Sequence, residues 1–133
     1  MKAKKVVLII TDGSGATAKM AEGVASALKG NEVSVKSASD FKGNDILPAE
    51  AFFLGCEEPR PDSFAYLSDL LKHINLAGRP CGIFSPDSEK AAKYLAGLVR
   101  DSEAALNPEL LIGAKGSGSD ISKWAKKVVS GVF

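Results

Sequence analysis

Val6-Val7-Leu8-Ile9-Ile10-Thr11-Asp12-Gly13-Ser14-Gly15-Ala16-Thr17 is an unbroken apolar, β-branched run that ends abruptly in a glycine-rich turn. A half-exposed strand alternates polar and apolar residues. This run does not alternate, so it predicts a strand over Lys5–Ile10 covered on both faces, as in a parallel sheet. Beyond the turn, Met20, Val24 and Leu28, with Ala21 and Ala25, recur at helical spacing until Gly30 and Asn31 end the pattern. Strand, glycine loop and helix in that order open a βαβ unit.

The same alternation continues outward. Glu32–Lys36 alternates around two valines and predicts a second, less buried strand. Ser37–Pro48 is a polar connection from which Phe41 and Ile46 fold back onto the body. Glu50–Gly55 predicts the third strand, and Asp62 or Ser63 can cap a helix carrying Phe64, Leu67, Leu71 and Ile74, with Leu70 beside them. Pro80–Ser85 predicts the fourth strand. Ser85 before Pro86 fits a helix start, with Ala91, Ala92, Leu95, Leu98 and Val99 on its apolar face. Leu110–Ala114 predicts the fifth strand. The last helix opens near Ser119 or Asp120 and buries Ile121, Trp124, Ala125, Val128 and Val132. Strands alternating with helices give an α/β three-layer sandwich, and right-handed crossovers favour a five-stranded parallel sheet in the order 2-1-3-4-5. In such a sheet ligands sit beyond the carboxyl ends of strands one and three, so the residues after Ile10, Gly55 and Ser85 are the candidates.

At 133 residues, 45% of them apolar, the chain is expected to form one domain over 1–133 with a core that needs no staple. Its 17 Lys and Arg against 16 Asp and Glu are spread along the whole length, which excludes the concentrated basic face of a nucleic-acid binder. Lys2, Lys4 and Lys5 precede only Val6–Ile10, too short for a signal-peptide core or a membrane span. A cytoplasmic protein with no membrane partner is expected. Cys56 and Cys81, at the exit of one strand and the entry of the next, would lie roughly 15 Å apart at ~3.3 Å per residue and are expected as free thiols.

The loop Asp12-Gly13-Ser14-Gly15-Ala16-Thr17 has the parts of an anion site. Glycines let peptide N–H groups approach an oxyanion, Ser14 and Thr17 add hydroxyls, and the helix N-terminus adds unpaired N–H groups and a positive dipole end. A plain strand-to-helix turn, with glycine for positive φ and Ser or Thr for capping, uses the same letters. Gly13, Gly15 and Ala18 also satisfy G-x-G-x-x-A. For a dinucleotide fold, however, the first glycine comes two residues late after the strand, and Asp40 lies too far on.

Ser14-Gly15-x-Thr17 resembles the last three defined positions of the flavodoxin loop [S/T]-x-[S/T]-G-x-T, with Asp12 in place of the first hydroxyl. Gly55-Cys56 resembles the start of that family's second flavin loop, and Asp120-Ile121-Ser122-Lys123-Trp124-Ala125 is similar to its closing helix. Element order and length agree over nearly the whole chain. The resemblance implies a flavodoxin-like fold, FMN as cofactor, and electron transfer between partner proteins in place of catalysis by the protein itself. Asp12, Gly13, Ser14, Gly15, Ala16 and Thr17 would hold the phosphate. Cys56, Glu57, Glu58, Pro59 and Arg60, with Ser85, Pro86 and Asp87, would flank the ring.

Two features keep an alternative open, a flavin-free binding or regulatory module on the same fold. The family stacks the flavin ring between aromatic side chains, yet neither Cys56–Pro61 nor Ser85–Ser88 contains one, and Tyr66 and Tyr94 fall within helices. Asp12, Glu57 and Glu58 also bring negative charge to the phosphate. Two unit charges ~6 Å apart at an effective dielectric of ~20 repel by roughly 3 kcal/mol, about a hundredfold in affinity. That cost is avoided only where the side chains turn to solvent. Pro59 and Pro61 stiffen the second loop. Cys56 beside Glu57 and Glu58 is expected to be a thiol of raised pKa. Nothing in the sequence builds a triad or a metal site, and His73 sits off the apolar stripe near a helix end.

Overall fold

Runs without polar alternation end up inside the sheet, and β1 (Val6–Thr11) is flanked on both sides. The structure, a computed structural model, describes residues 5–46, 48–59, 61–100, 102–113 and 118–131. After β1 come α1 (Gly15–Ala27), β2 (Glu32–Ser37), the short α2 (Gly43–Ile46) and β3 (Ala51–Gly55). A 3-10 turn (Asp62–Phe64) leads into α3 (Ala65–His73), followed by β4 (Pro80–Ser85), α4 (Glu89–Arg100), β5 (Ala105–Leu106), β6 (Leu111–Ile112) and α5 (Gly118–Ser130). All strand pairs are parallel, in the order β2-β1-β3-β4-β5, and β6 also pairs with β4. This is the order expected from the sequence.

Because successive strand residues face opposite ways, β1 feeds two cores. Leu8 and Ile10 join Phe52, Leu54 and Ile83 under α3 and α4, where Phe64, Leu67, Leu71, Leu95 and Val99 are buried. Val7 and Ile9 join Phe53 and Phe84 under α1 and α5, with Met20, Val24, Trp124 and Val128. Each large side chain so buried contributes about 1.5–3 kcal/mol. On the α1/α5 side two register pairs alternate, Phe53 with Gly82 and Gly55 with Phe84. Each ring lies over its partner glycine. A Cβ on Gly55 would meet the Phe84 ring at 2.3 Å, and one on Gly82 would meet Phe53 at 2.8 Å. Trp124 closes this layer edge-on to Phe53, at 5.4 Å between ring centroids, while its indole N–H donates to the Glu109 carbonyl at 2.8 Å.

β2 is the exposed edge the sequence suggests, and Phe41 and Ile46 are buried as expected. Arg79 fastens the connection between them and β3, its guanidinium donating to the carbonyls of Ile46 and Ala49 at 3.1 and 3.0 Å.

Three expectations are corrected. α4 does not begin at Pro86. The Ser88 hydroxyl accepts the Ala91 N–H at 3.0 Å and the helix starts at Glu89, because Ser85 and Pro86 close a turn first. Neither Asp62 nor Ser63 caps α3; the 3-10 turn that they begin runs straight into the helix, with no side-chain cap on either segment. The fifth column is not one strand at Leu110–Ala114 but two short ones, β5 against Pro80–Cys81 and β6 against Phe84–Ser85. Ala114, Gly116, Ser117 and Val132 lie outside the described residues.

Candidate functional site at the carboxyl edge of the sheet

The register brings the candidate loops to one edge. Thr11 is level with Ser37 on one side and Gly55 on the other, and Gly55 is level with Phe84. Asp12, Cys56 and Ser85 therefore leave the sheet side by side. The central position of β1 makes this the place where the chain's crossovers diverge, the edge at which open α/β sheets take their ligands.

Local chemistry shapes the first loop. Gly13 sits at φ +83°, where a side chain would be strained, and its N–H donates to the Thr11 hydroxyl at 3.2 Å. Ser14 caps α1: its Oγ accepts the Thr17 N–H at 3.2 Å and lies 2.7 Å from Thr17 Oγ1. The first intrahelical bond runs from the Ala18 N–H to the Ser14 carbonyl. The N–H groups of Gly15 and Ala16 thus have no acceptor within the helix, and both residues are exposed. Gly15 has an ordinary φ, and a Cβ built on it meets nothing within 4 Å. The fold itself does not demand a glycine there.

Asp12 does not turn to solvent. Half-buried, it accepts the Ser14 N–H on Oδ1 at 3.0 Å and the Glu57 N–H on Oδ2 at 2.7 Å. Its carboxylate bridges the loop after β1 to the loop after β3. Glu57 is half-buried, and Glu58 and Pro59 are exposed. Arg60, the one cation among the candidates, lies outside the described residues. Cys56 is fully buried, and its thiol is pushed from the ordinary 9.0 to about 12, first by burial and then by the Asp12 charge. The direction agrees with expectation, but the causes are burial and Asp12, not Glu57 and Glu58. Cys81 is buried and raised by burial alone, and both thiols are free.

The third loop is closed on itself. Ser85 is buried, its Oγ accepts the Ser88 N–H at 3.2 Å, and its carbonyl accepts the Gly113 N–H at 2.9 Å. Pro86 is half-buried and Asp87 exposed, so this turn offers a rim and little reach. His73 stands at the end of α3, exposed, with Nδ1 against the Asp69 carbonyl at 2.9 Å. No group of three or more His, Cys, Asp or Glu among the described residues is placed to hold a metal. No helix among them is long and apolar enough to cross a membrane.

FMN fits this edge at one end. The N–H groups of exposed Gly15 and Ala16 and the half-buried Ser14 hydroxyl suit a phosphate, whereas Thr17 is fully buried with its hydroxyl 2.7 Å from Ser14 Oγ. The ring end has no stacking partner in either flanking loop. Tyr66 lies on α3, tilted against Phe41 at 5.7 Å between centroids, and Tyr94 lies on α4. Sequence reasoning missed the Asp12 bridge. Its Ser14 half was readable as Asp-x-Ser at turn spacing, whereas its Glu57 half spans 45 residues and has no local signal.

Known structures share this architecture. The chain is similar to oxidised flavodoxin 2 from Bacillus cereus, at 20% identity and a TM-score of 0.80, covering 95% of this chain and 98% of that one. It is equally similar to a flavodoxin of Streptococcus pneumoniae TIGR4, at 20% identity and a TM-score of 0.80, covering 96% and 99%. A Fusobacterium nucleatum flavodoxin mutant bound to flavin mononucleotide matches at 11% identity and a TM-score of 0.65, over 97% and 94%. No family profile and no curated protein matches the sequence. The chain has a flavodoxin-like fold.

Proposed function

We propose, on the premise of a flavodoxin-like fold, that this chain binds FMN by its phosphate at the opening of α1 and carries electrons between partner proteins. The observation that carries this is the Gly15 and Ala16 N–H groups, exposed and without helical acceptors, beside the Ser14–Thr17 hydroxyl pair at 2.7 Å. Support also comes from Gly15, which the fold does not require, and from the solved flavodoxins with which the chain shares its architecture. Flavin, when bound, supplies the redox chemistry; the chain supplies position and electrostatics. Gly15 and Ala16 would donate to phosphate oxygens, and the Ser14 hydroxyl, held by that of buried Thr17, would orient them. The backbone of Cys56–Pro59 and Ser85–Asp87 would border the ring. Without aromatic stacking the ring is held loosely, so the cofactor exchanges readily.

A second reading, a flavin-free binding or regulatory module, is favoured by one observation: the Asp12 carboxylate already takes the Ser14 and Glu57 amides. Fluorescence titration separates the two. Quenching of FMN emission that saturates at one flavin per chain, with the protein turning yellow, supports the first. Unquenched FMN at millimolar protein, with no heat on calorimetric titration, supports the second.

A further inference from the structure

We infer that Asp12 is a resident counter-anion, a specificity-determining residue that competes with a ligand's phosphate for the opening of α1 and holds FMN affinity low. This deepens the flavin reading and rests on it. Both carboxylate oxygens are engaged, each by one backbone N–H, at 3.0 Å from Ser14 and 2.7 Å from Glu57. Hydrogen bonds to an ionised acceptor are about twice as strong as neutral ones, so these two amides are well satisfied without any ligand. Ser14 is also the residue whose hydroxyl caps α1, directly before the free N–H groups of Gly15 and Ala16. Because Asp12 Oδ1 holds the Ser14 N–H, the next amide along from those of Gly15 and Ala16, a phosphate settling on them would come close to the carboxylate. It must share the opening with a like charge or turn Asp12 out and strand two amides. Asp12 also ties the first loop to the second, so turning it out loosens the border on which the ring would rest.

The competition is selective for charge. A dianionic phosphate is disfavoured most. The same flavin without its phosphate, riboflavin, does not meet the carboxylate.

The test is to titrate the native chain, Asp12→Ser and Asp12→Asn with FMN and with riboflavin, following flavin fluorescence. Asp12→Asn removes the charge and one acceptor but keeps an oxygen for one of the two N–H groups, so it guards against a variant that fails through misfolding. Both variants are expected to bind FMN more tightly than the native chain, by about a hundredfold for one removed like charge, while riboflavin, which meets no like charge, gains nothing from the change. Variants that bind FMN while the native chain does not would uphold the competition and overturn the native flavin reading. Native and variant chains that bind FMN equally would leave that reading standing and overturn the competition, making Asp12 a structural clamp only. Folded variants that take up no FMN at all overturn both.

Discussion

Two glycines two positions apart, Gly13 and Gly15, separate what the fold needs from what a ligand needs. Gly13 has φ +83°, and a side chain there is strained by about 1–2 kcal/mol in any state of the site. Gly15 has no such constraint and opens onto empty space. Gly15→Ala should therefore leave the thermal midpoint unchanged or slightly raised, since alanine is the better helix former by up to about 1 kcal/mol. The same change should cut FMN affinity about tenfold or more, because the new methyl stands where an oxyanion must approach. Parallel melting and fluorescence titration check both halves, and a lowered midpoint would show that the fold needs this glycine. Cys56 gives a second residue-scale outcome. Its thiol titrates at about 12 in the folded chain against 9.0 ordinarily, so the unfolded chain loses its proton first as pH rises. Stability is unaffected well below pH 9 and falls as pH climbs from about 9 towards 12, with Cys81 acting in the same direction. Chemical denaturation at pH 8, 10 and 11 checks the sign. Alkylation of native protein at pH 8 should be slow, and Asp12→Asn should speed it only modestly, because burial is the larger cause.

Elements were legible where period and length were both present. The apolar run of β1, the stripe Leu67–Leu71 of α3 and the stripe of α4 fixed their faces, because two or more turns or a whole strand carried the pattern. β5 and β6 have two residues each, too few for any period, and Pro108 between them removes a ladder donor. Asn107 keeps the column together by donating its N–H to the Cys81 carbonyl at 2.9 Å. The start of α4 was misplaced because Pro86 and Ser88 both signal a first turn, and only the hydrogen bond from Ala91 decides between them. Ser88→Ala should accordingly cost about 1 kcal/mol by removing the acceptor of the Ala91 N–H. The Phe–Gly alternation of β3 and β4 could not be read, since it depends on register between strands. Gly55→Ala would press a Cβ into the Phe84 ring and should destabilise by about 1–3 kcal/mol, measured by denaturant midpoint at constant slope.

At the scale of the whole molecule, scaffold and site draw on different residues. The two cores are built from strands and helices that hold together around β1; among the described site candidates only Cys56 belongs to either apolar cluster, with Thr17 and Ser85 buried beside them. The chain should therefore fold without flavin and gain stability from it by mass action alone. At a hundredfold excess over the dissociation constant the gain is about 2.7 kcal/mol, seen as a concentration-dependent rise in midpoint. The candidate site, by contrast, was only half legible. Its phosphate end is written in adjacent letters, Ser14 to Thr17, while its charge balance depends on Asp12 meeting an amide 45 residues away. The central claim is that the free amides at the opening of α1 receive a phosphate, and amide chemical shifts read it directly. On titration of 15N-labelled protein with FMN, the Gly15 and Ala16 N–H signals should move downfield most, with Thr17 following and the remote helix ends of α3 and α5 still. Shifts confined to other residues, with Gly15 and Ala16 unmoved at saturating FMN, would contradict it.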